Sequence, residues 1–363
     1  MSSSPLAPWL QPQLVALLAQ NSPALLLQGP SGLGQWALGL ALVRAGLCER
    51  HTQAGACGSC ESCHAIDVHT HADLCVLMPQ ASLQALGWPI PNAKASDADG
   101  AEKAPKLSRE IRIDDLRDAI EFTQRTSARG RGKAVLIYPA ERMNSATANA
   151  LLKTLEEPPS GVRFVLASEA AHLLLPTIRS RCISHTLAWP DEAQALAWLH
   201  AQGLDAAAAK VQLRAAGGRP DNALAASQAG LDVQQLRQLP QALRHGQPGA
   251  LAGLSPGQAV DRLQKLCHDM LARHVGTSPR FFEVADLPTR QGAKHRTAGV
   301  NPAQPDPQTA SQTSGLPALL AWSKALTHSA RIAEHPLNVS LMLESLAQQA
   351  HHALDCYLRN DPA

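Results

Sequence analysis

Short apolar runs alternate with amphipathic stretches along the first half of the chain. Runs of four or five apolar residues predict buried strands, and apolar positions three or four residues apart predict the helices between them. The predicted strands lie at residues 24–27, 74–78, 134–138 and 164–167. Strands separated by helices favour a parallel sheet with both faces covered. We therefore predict an α/β fold for this part of the chain.

Polar residues mark where two of these helices are expected to begin. Asp114 is the expected N-cap of a helix that runs to about residue 126, and Asn144 is the expected N-cap of a helix that ends before Pro158. The second helix carries a buried stripe and, on another face, the polar residues Asn149, Lys153 and Glu156. That polar face is either solvated or an interface for a partner.

The pattern changes after residues 189–190, where strand signals disappear. Residues 191–228 predict short Ala-rich helices, and longer helices are expected within 231–275 and 317–357. The predicted domains are an α/β domain, a small helical lid and an all-α collar domain for oligomerisation, at residues 1–188, 189–230 and 231–363.

Two stretches lack periodicity. Residues 79–109 are rich in Ala, Pro, Asp and Lys and predict a surface insertion. Residues 287–315 are rich in Pro, Gly, Thr and Gln and predict a flexible insertion. Neither stretch is assigned a role.

Composition narrows the class of protein. Hydrophobic residues make up 45% of the 363 residues and charged residues 17%, which is typical of a folded chain. The 32 basic and 30 acidic residues give a net charge of +2, and aromatics are 3%, so neither a global field nor a stacking platform indicates nucleic-acid binding. No apolar run reaches about 18 residues and no signal peptide is evident, so we expect a cytoplasmic protein with no membrane contact and with reduced cysteines.

A glycine-rich segment follows the first strand and opens the next helix. Gly29, Gly32 and Gly34 resemble a phosphate-binding loop, whose amides and helix N-terminus cradle phosphate. Gln35 stands where such a loop has lysine, and Trp36 stands where it has the Ser or Thr that holds Mg²⁺. Three interpretations stay open. The segment is a simple strand-to-helix turn, or it is a phosphate loop that no longer hydrolyses nucleotide. The third interpretation, a working ATPase, is disfavoured by the two replacements. Whether it still binds ATP is left open.

The residues after the 134–138 strand agree with lost hydrolysis. An ATPase of this kind would carry acidic residues there to hold Mg²⁺ and orient water. Here Pro139 and Ala140 come first, and Glu141 is the one acid.

Four cysteines lie within sixteen residues. Cys48, Cys57, Cys60 and Cys63 are spaced C-x8-C-x2-C-x2-C, and four thiolates suit a closed, structural zinc site. Unliganded thiols and an iron–sulfur cluster are the alternatives. The other cysteines are isolated and are expected in cores: Cys75, Cys182, Cys267 and Cys356.

Two further segments complete a recognisable order. Residues 149–159 read NALLKTLEEPP, and residues 180–182 read SRC. With the glycine loop and the cysteine cluster, they resemble the delta-prime family of subunits of the bacterial DNA polymerase III clamp loader, within the AAA+ proteins. The resemblance is dense over about residues 5–190 and mainly architectural beyond. The gamma/tau ATPases share both segments, but not the replacements at Gln35 and Trp36.

The resemblance implies a rigid stator without ATPase activity, in a hetero-pentamer with gamma/tau and delta subunits. Such an assembly loads the sliding clamp onto primed DNA, as part of a polymerase holoenzyme that is a nucleotidyltransferase. It also implies that Arg181 is an arginine finger, inserted in trans into a neighbouring subunit's ATP site. The place of a second sensor arginine aligns with Asp221, so Arg219 is an insecure candidate for that role.

Two other functions stay open from the sequence. One is an active gamma/tau-like ATPase, which Gln35 disfavours. The other is a zinc-dependent nucleic-acid-binding module, which the near-neutral charge disfavours.

Overall fold

The computed structural model forms two compact units, residues 1–198 and 199–363. The residues it describes are 6–20, 22–90, 107–247, 249–289, 315–333, 335 and 338–359. Within them, no helix combines the length and apolarity that crossing a membrane requires.

The first unit is built on a five-stranded parallel sheet of order β2-β3-β4-β1-β5. The strands are β1 (Ala24–Gln28), β2 (Leu74–Leu77), β3 (Lys133–Ile137), β4 (Val162–Ser168) and β5 (Ile183–Thr186). The helices of this unit are α1 (Gln11–Ala19), α2 (Gln35–Leu47), α3 (Glu61–Asp67), α4 (Gln80–Ala85), α5 (Ile113–Gln124), α6 (Ser145–Glu156) and α7 (Pro176–Arg179). The predicted α/β fold is confirmed.

Alternating side chains of β1 enter different cores. Leu25 and Leu27 pack on one face of the sheet with α1 and α2. Leu26 packs on the other face with α5 and α6. All three are fully buried, which explains why β1 has a continuous apolar run rather than an alternating one.

Several sequence expectations need correction. Arg112 is the N-cap of α5, and Asp114 lies in the first turn, where its charge suits the helix dipole. The predicted insertion 79–109 contains α4, because Leu83 has a core to enter and is 3% exposed. Residues 91–106 lie outside the described residues. The N-cap at Asn144 is confirmed, since its Oδ1 accepts from the Thr147 amide at 2.9 Å.

The second unit is helical. Helix α8 (Glu192–Ala201) spans the boundary between the units. The helices that follow are α9 (Ala206–Ala215), α10 (Pro220–Gln228), α11 (Val233–Arg244), α12 (Pro256–His274), α13 (Leu316–Ile332) and α14 (Val339–Arg359). The last four share one core. The division into lid and collar domains stays a prediction.

The start of the predicted insertion 287–315 also differs from expectation. Leu287 is 1% exposed and belongs to the core of the second unit. The rest of that insertion, from residue 290 to 314, lies outside the described residues.

Asp73, which directly precedes β2, is hydrogen-bonded to the loop before β3. Its buried carboxylate accepts hydrogen bonds from the amides of Ala128 (2.8 Å) and Arg129 (2.9 Å) and from Ser127 Oγ (3.0 Å). Lys133 Nζ lies 3.4 Å away. Burial alone would raise the pKa of Asp73, but these hydrogen bonds outweigh it and hold the pKa below the ordinary 3.8.

We expect Asp73→Asn to lower the free energy of unfolding by about 3–5 kcal/mol at pH 7, because it removes one partner of a buried ion pair. The folded pKa lies below the unfolded value of 3.8, so the stabilisation is present above that value and is lost as pH falls through the folded pKa. Urea unfolding at several pH values measures both effects. The exposed Asp114→Asn is the control, and an equal loss in both variants would contradict the assignment.

Candidate functional site

The glycine loop connects the carboxyl end of β1 to the start of α2. Gly32 and Gly34 have left-handed φ angles of 86° and 97°, and Gly34 is the N-cap of α2. A Cβ at Gly34 would lie 2.6 Å from Leu10 Cδ1. These two positions therefore need glycine, as a loop that turns its amides inward requires. Gly29 has no such need, since a Cβ there meets its neighbours at 3.5 Å.

The side chain of Gln35 fills this loop. Gln35 is 2% exposed, and its Nε2 donates to the carbonyl oxygens of Gly29 (2.8 Å) and Pro30 (2.7 Å). A neutral amide thus occupies the place of the lysine and closes the loop on itself. Trp9 adds a second tie, since its Nε1 donates to the Leu33 carbonyl at 3.1 Å.

An aromatic cluster surrounds Trp36, the residue that stands where a phosphate-binding loop has its magnesium-binding hydroxyl. The Trp36 ring lies 5.7 Å from Tyr138 and 5.9 Å from Trp88, centre to centre. Trp88 in turn stacks on His69 at 4.0 Å. The indole of Trp36 carries no oxygen atom, the kind of ligand that Mg²⁺ prefers.

Glu141, the acid after β3, is engaged by the neighbouring strand. Its carboxylate accepts from Ser168 Oγ at 2.8 Å and from the Glu169 amide at 3.1 Å. Glu169 itself accepts from the Tyr138 hydroxyl at 2.6 Å. These hydrogen bonds connect the ends of β3 and β4, so Glu141 has a structural role there.

The predicted cysteine cluster is assembled. The sulfurs of Cys48, Cys57, Cys60 and Cys63 all lie within 4.8 Å of one another, and Cys57 is the most exposed of the four. The Cys48 and Cys60 sulfurs are 3.8 Å apart. Four sulfurs at about 2.3 Å from zinc would be about 3.8 Å apart in a tetrahedron, so this spacing fits the ion.

Backbone amides point at two of these sulfurs. Cys48 Sγ accepts from the amides of Arg50 (3.4 Å) and Cys57 (3.3 Å). Cys60 Sγ accepts from the Cys63 amide at 3.4 Å, which caps α3. Such donors stabilise thiolates.

The thiol pKa values in the cluster diverge. A hydrogen bond from the Ser59 amide is the largest influence that lowers the pKa of Cys57, to about 5. Burial raises the pKa of Cys63 to about 12.

Charged pairs attach the cluster to the α/β unit. Glu49 accepts from Ser62 Oγ at 3.0 Å and from the Arg129 guanidinium at 2.9 Å. Arg44 on α2 pairs with Asp67 on α3 at 2.7 Å. The segment around the cysteines is thus connected on both sides to secondary structure of the first unit.

Arg181 lies beside α6. Its Nε donates to Glu156 Oε1 at 2.8 Å, its Nη2 donates to the same oxygen, and its Nη1 donates to the Thr177 carbonyl at 2.9 Å. The side chain is 31% exposed. The sequence leaves open that Arg181 pairs with a local carboxylate, but it does not identify Glu156 as the partner, since twenty-four intervening residues carry no signal of it.

Arg219 and the glycine loop lie in different units. Arg219 Nε donates to the Ala216 carbonyl at 2.7 Å, and Asp221 lies in the first turn of α10. A sensor role for Arg219 stays a prediction.

Comparison with known proteins places the chain among replication proteins. The family model described as "DNA polymerase III, delta subunit" matches residues 11–190. The delta' subunit of Pseudomonas aeruginosa is 39% identical over 181 residues, which are 50% of this chain and 48% of that protein. The Escherichia coli delta' subunit is 34% identical over 75% of this chain and 78% of its own length.

A second kind of DNA polymerase III subunit matches a shorter segment. The tau subunit of Escherichia coli is 31% identical over 164 residues, which are 45% of this chain and 21% of that protein. The delta' relatives thus match at equal or higher identity and, for the Escherichia coli protein, along much more of the chain. The chain belongs to the delta-prime family of DNA polymerase III subunits.

Proposed function

We propose that this chain is the non-hydrolysing stator of a bacterial DNA polymerase III clamp loader. In this proposal it is an AAA+ subunit that joins gamma/tau and delta subunits in a hetero-pentamer, which loads the sliding clamp onto primed DNA. The observation that carries the proposal is the Gln35 side chain, which is buried inside the phosphate loop and hydrogen-bonded to it.

The loss of hydrolysis has three physical causes at one place. Gln35 brings no positive charge to offset the phosphates, and its amide already binds the loop carbonyls. Trp36 replaces the hydroxyl ligand of Mg²⁺ with an aromatic cluster. Glu141 is held by Ser168 and the Glu169 amide. A phosphoryl-transfer site needs the cation, the metal and the acid together.

Arg181 is proposed as an arginine finger that acts in trans. An arginine suits this role because its planar guanidinium stays charged and can bind two phosphate oxygens at once. The Glu156 carboxylate and the Thr177 carbonyl hold that guanidinium at the surface of the first unit. Both partners are exposed enough that exchange of Glu156 for a phosphate costs little.

Zinc is proposed as a structural ion held by Cys48, Cys57, Cys60 and Cys63. Four sulfurs leave no open position for water, so the ion would supply cross-linking rather than catalysis. A divalent cation among them would also favour the thiolate form of the buried Cys63.

We expect the purified chain to show no ATP turnover. Gln35→Lys should not restore it, because Trp36 and Glu141 keep their partners. Steady-state phosphate release measures this. Robust turnover that Gly34→Ala abolishes, by forcing a Cβ to 2.6 Å from Leu10, would contradict the proposal and favour a gamma/tau-like ATPase. Turnover unchanged by Gly34→Ala would come from a contaminant.

We expect Arg181→Ala to slow ATP hydrolysis in a complex reconstituted with gamma/tau and delta subunits. An arginine finger contributes about 10³–10⁵ in rate at its own site, and the remaining sites dilute the loss in total turnover. Clamp loading should fall further than total turnover. Arg181→Lys should rescue poorly, because an ammonium lacks the fork.

Glu156→Gln is the matched variant for Arg181→Ala, since it breaks the local pair but keeps the guanidinium. It should retain near-normal hydrolysis and loading. Both variants should lose less than about 1 kcal/mol of stability, as an exposed pair does. Normal rates in both assays for an assembled Arg181→Ala complex would remove Arg181 from the mechanism.

We expect one zinc ion per chain, and Cys60→Ser should reduce the bound zinc to a small fraction, because three thiolates bind it far more weakly than four. Elemental analysis after refolding with zinc measures the zinc content. When zinc is lost, hydrogen exchange should show faster opening of residues 48–67 than of the sheet. Cys356→Ser, outside the cluster, is the control. Full occupancy in Cys60→Ser would refute the ligand assignment.

A further inference from the structure

A cavity of about 1110 Å³ opens in the first unit at the amino ends of β1, β3 and β4. The phosphate loop follows the carboxyl end of β1. Because the strands are parallel, the cavity lies at their amino ends and the loop lies at their carboxyl ends, on the opposite side of the sheet. The cavity is therefore separate from the proposed stator machinery.

The cysteine segment forms one wall of this cavity. His51, Thr52 and Gln53, which lie between Cys48 and Cys57, line it. The end of α2 and the side of α1 form the other walls. A zinc ion that orders the cysteine segment would thus also order this wall.

The charge of the lining is positive. Arg131, Lys133 and Arg163 line the cavity, and none of its described lining residues is Asp or Glu. Lys133 is paired with Asp73, so its charge is offset. Arg131 and Arg163 are the other two cationic side chains of the lining.

The contact with Arg131 fixes the tautomer of His51. Arg131 Nη2 lies 2.6 Å from His51 Nδ1. A guanidinium has no acceptor, so Nδ1 must accept, and the ring proton of the neutral imidazole is then on Nε2. His51 therefore offers an N–H group at the same wall.

Arg163 lies against the last turn of α2. A Cβ at Gly46 would be 4.0 Å from Arg163 Nη1, so this turn carries no side chain between the guanidinium and the helix. Carbonyls at a helix C-terminus supply about half a negative charge beside this guanidinium. Burial lowers the pKa of Arg163.

We propose that this cavity binds a phosphate-class oxyanion, with Arg131 and Arg163 as charged ligands and His51 as a neutral donor. Paired guanidinium groups match phosphate oxygens in geometry and charge. The phosphate belongs either to a small phosphorylated molecule or to a nucleic-acid backbone. This inference does not depend on the proposed stator function.

The test titrates the full-length, zinc-loaded chain with two probes. Inorganic pyrophosphate, followed by calorimetry, represents the small molecule, and a short labelled oligothymidylate, followed by fluorescence anisotropy, represents the backbone. The variants are Arg131→Gln, Arg163→Gln and the control Arg117→Gln. Arg117 lies on α5, pairs with Asp114 and is 66% exposed.

We expect at least one probe to bind, more weakly as salt is raised. Arg131→Gln and Arg163→Gln should each weaken that binding at least about tenfold, as loss of a charged hydrogen bond does. Arg117→Gln should leave it unchanged. Binding of pyrophosphate assigns a small phosphorylated ligand, and binding of the oligonucleotide alone assigns a nucleic-acid backbone.

Two results would overturn the proposal: neither probe binds, or binding survives both cavity substitutions unchanged. Arg163 is a strand residue, so its variant is compared by thermal unfolding with the unmodified chain. Arg131 lies in an exposed loop, and Arg131→Gln decides the outcome if Arg163→Gln is unstable.

Discussion

The hydrogen bonds of Gln35 to the Gly29 and Pro30 carbonyls close the glycine loop from within. The left-handed glycines and the helix N-terminus of a phosphate site are present. The amide side chain turns that framework into a closed strand-to-helix connection, which Leu10 and Trp9 cover from outside. A loop satisfied by its own side chain needs no ligand to be stable, and this fits a subunit whose proposed role is to stay in one conformation.

The same sheet supports three chemically different regions. At the carboxyl ends of the strands lie the filled loop and the Glu141 connection between β3 and β4. Arg181 lies beside α6, where Glu156 and the Thr177 carbonyl hold its guanidinium. The cysteine segment joins α2 to α3 and forms one wall of the basic cavity. In the proposed function, rigid supports of this kind let the stator present Arg181 without hydrolysing nucleotide itself.

The apolar pattern was enough to predict β1 to β4, because each strand contains an uninterrupted run of at least four apolar residues. It was not enough for β5, an edge strand whose sequence ISHT is mostly exposed and lacks such a run. Helix α4 was missed because Leu83 is one apolar residue among Gln, Ser and Ala. The cysteine cluster was readable because its ligands are close in sequence. The pairs Arg181–Glu156 and Arg131–His51 were not, since they join residues brought together by the fold alone.

The most direct test of the filled loop is an experimental structure of the full chain in the presence of Mg²⁺ and a slowly hydrolysed ATP analogue. The account predicts that Gln35 Nε2 still donates to the Gly29 and Pro30 carbonyls, with Trp36 against Tyr138 and no triphosphate in the loop. Triphosphate density between Gly29 and Gly34, with the Gln35 side chain displaced and a metal ion beside it, would contradict the account.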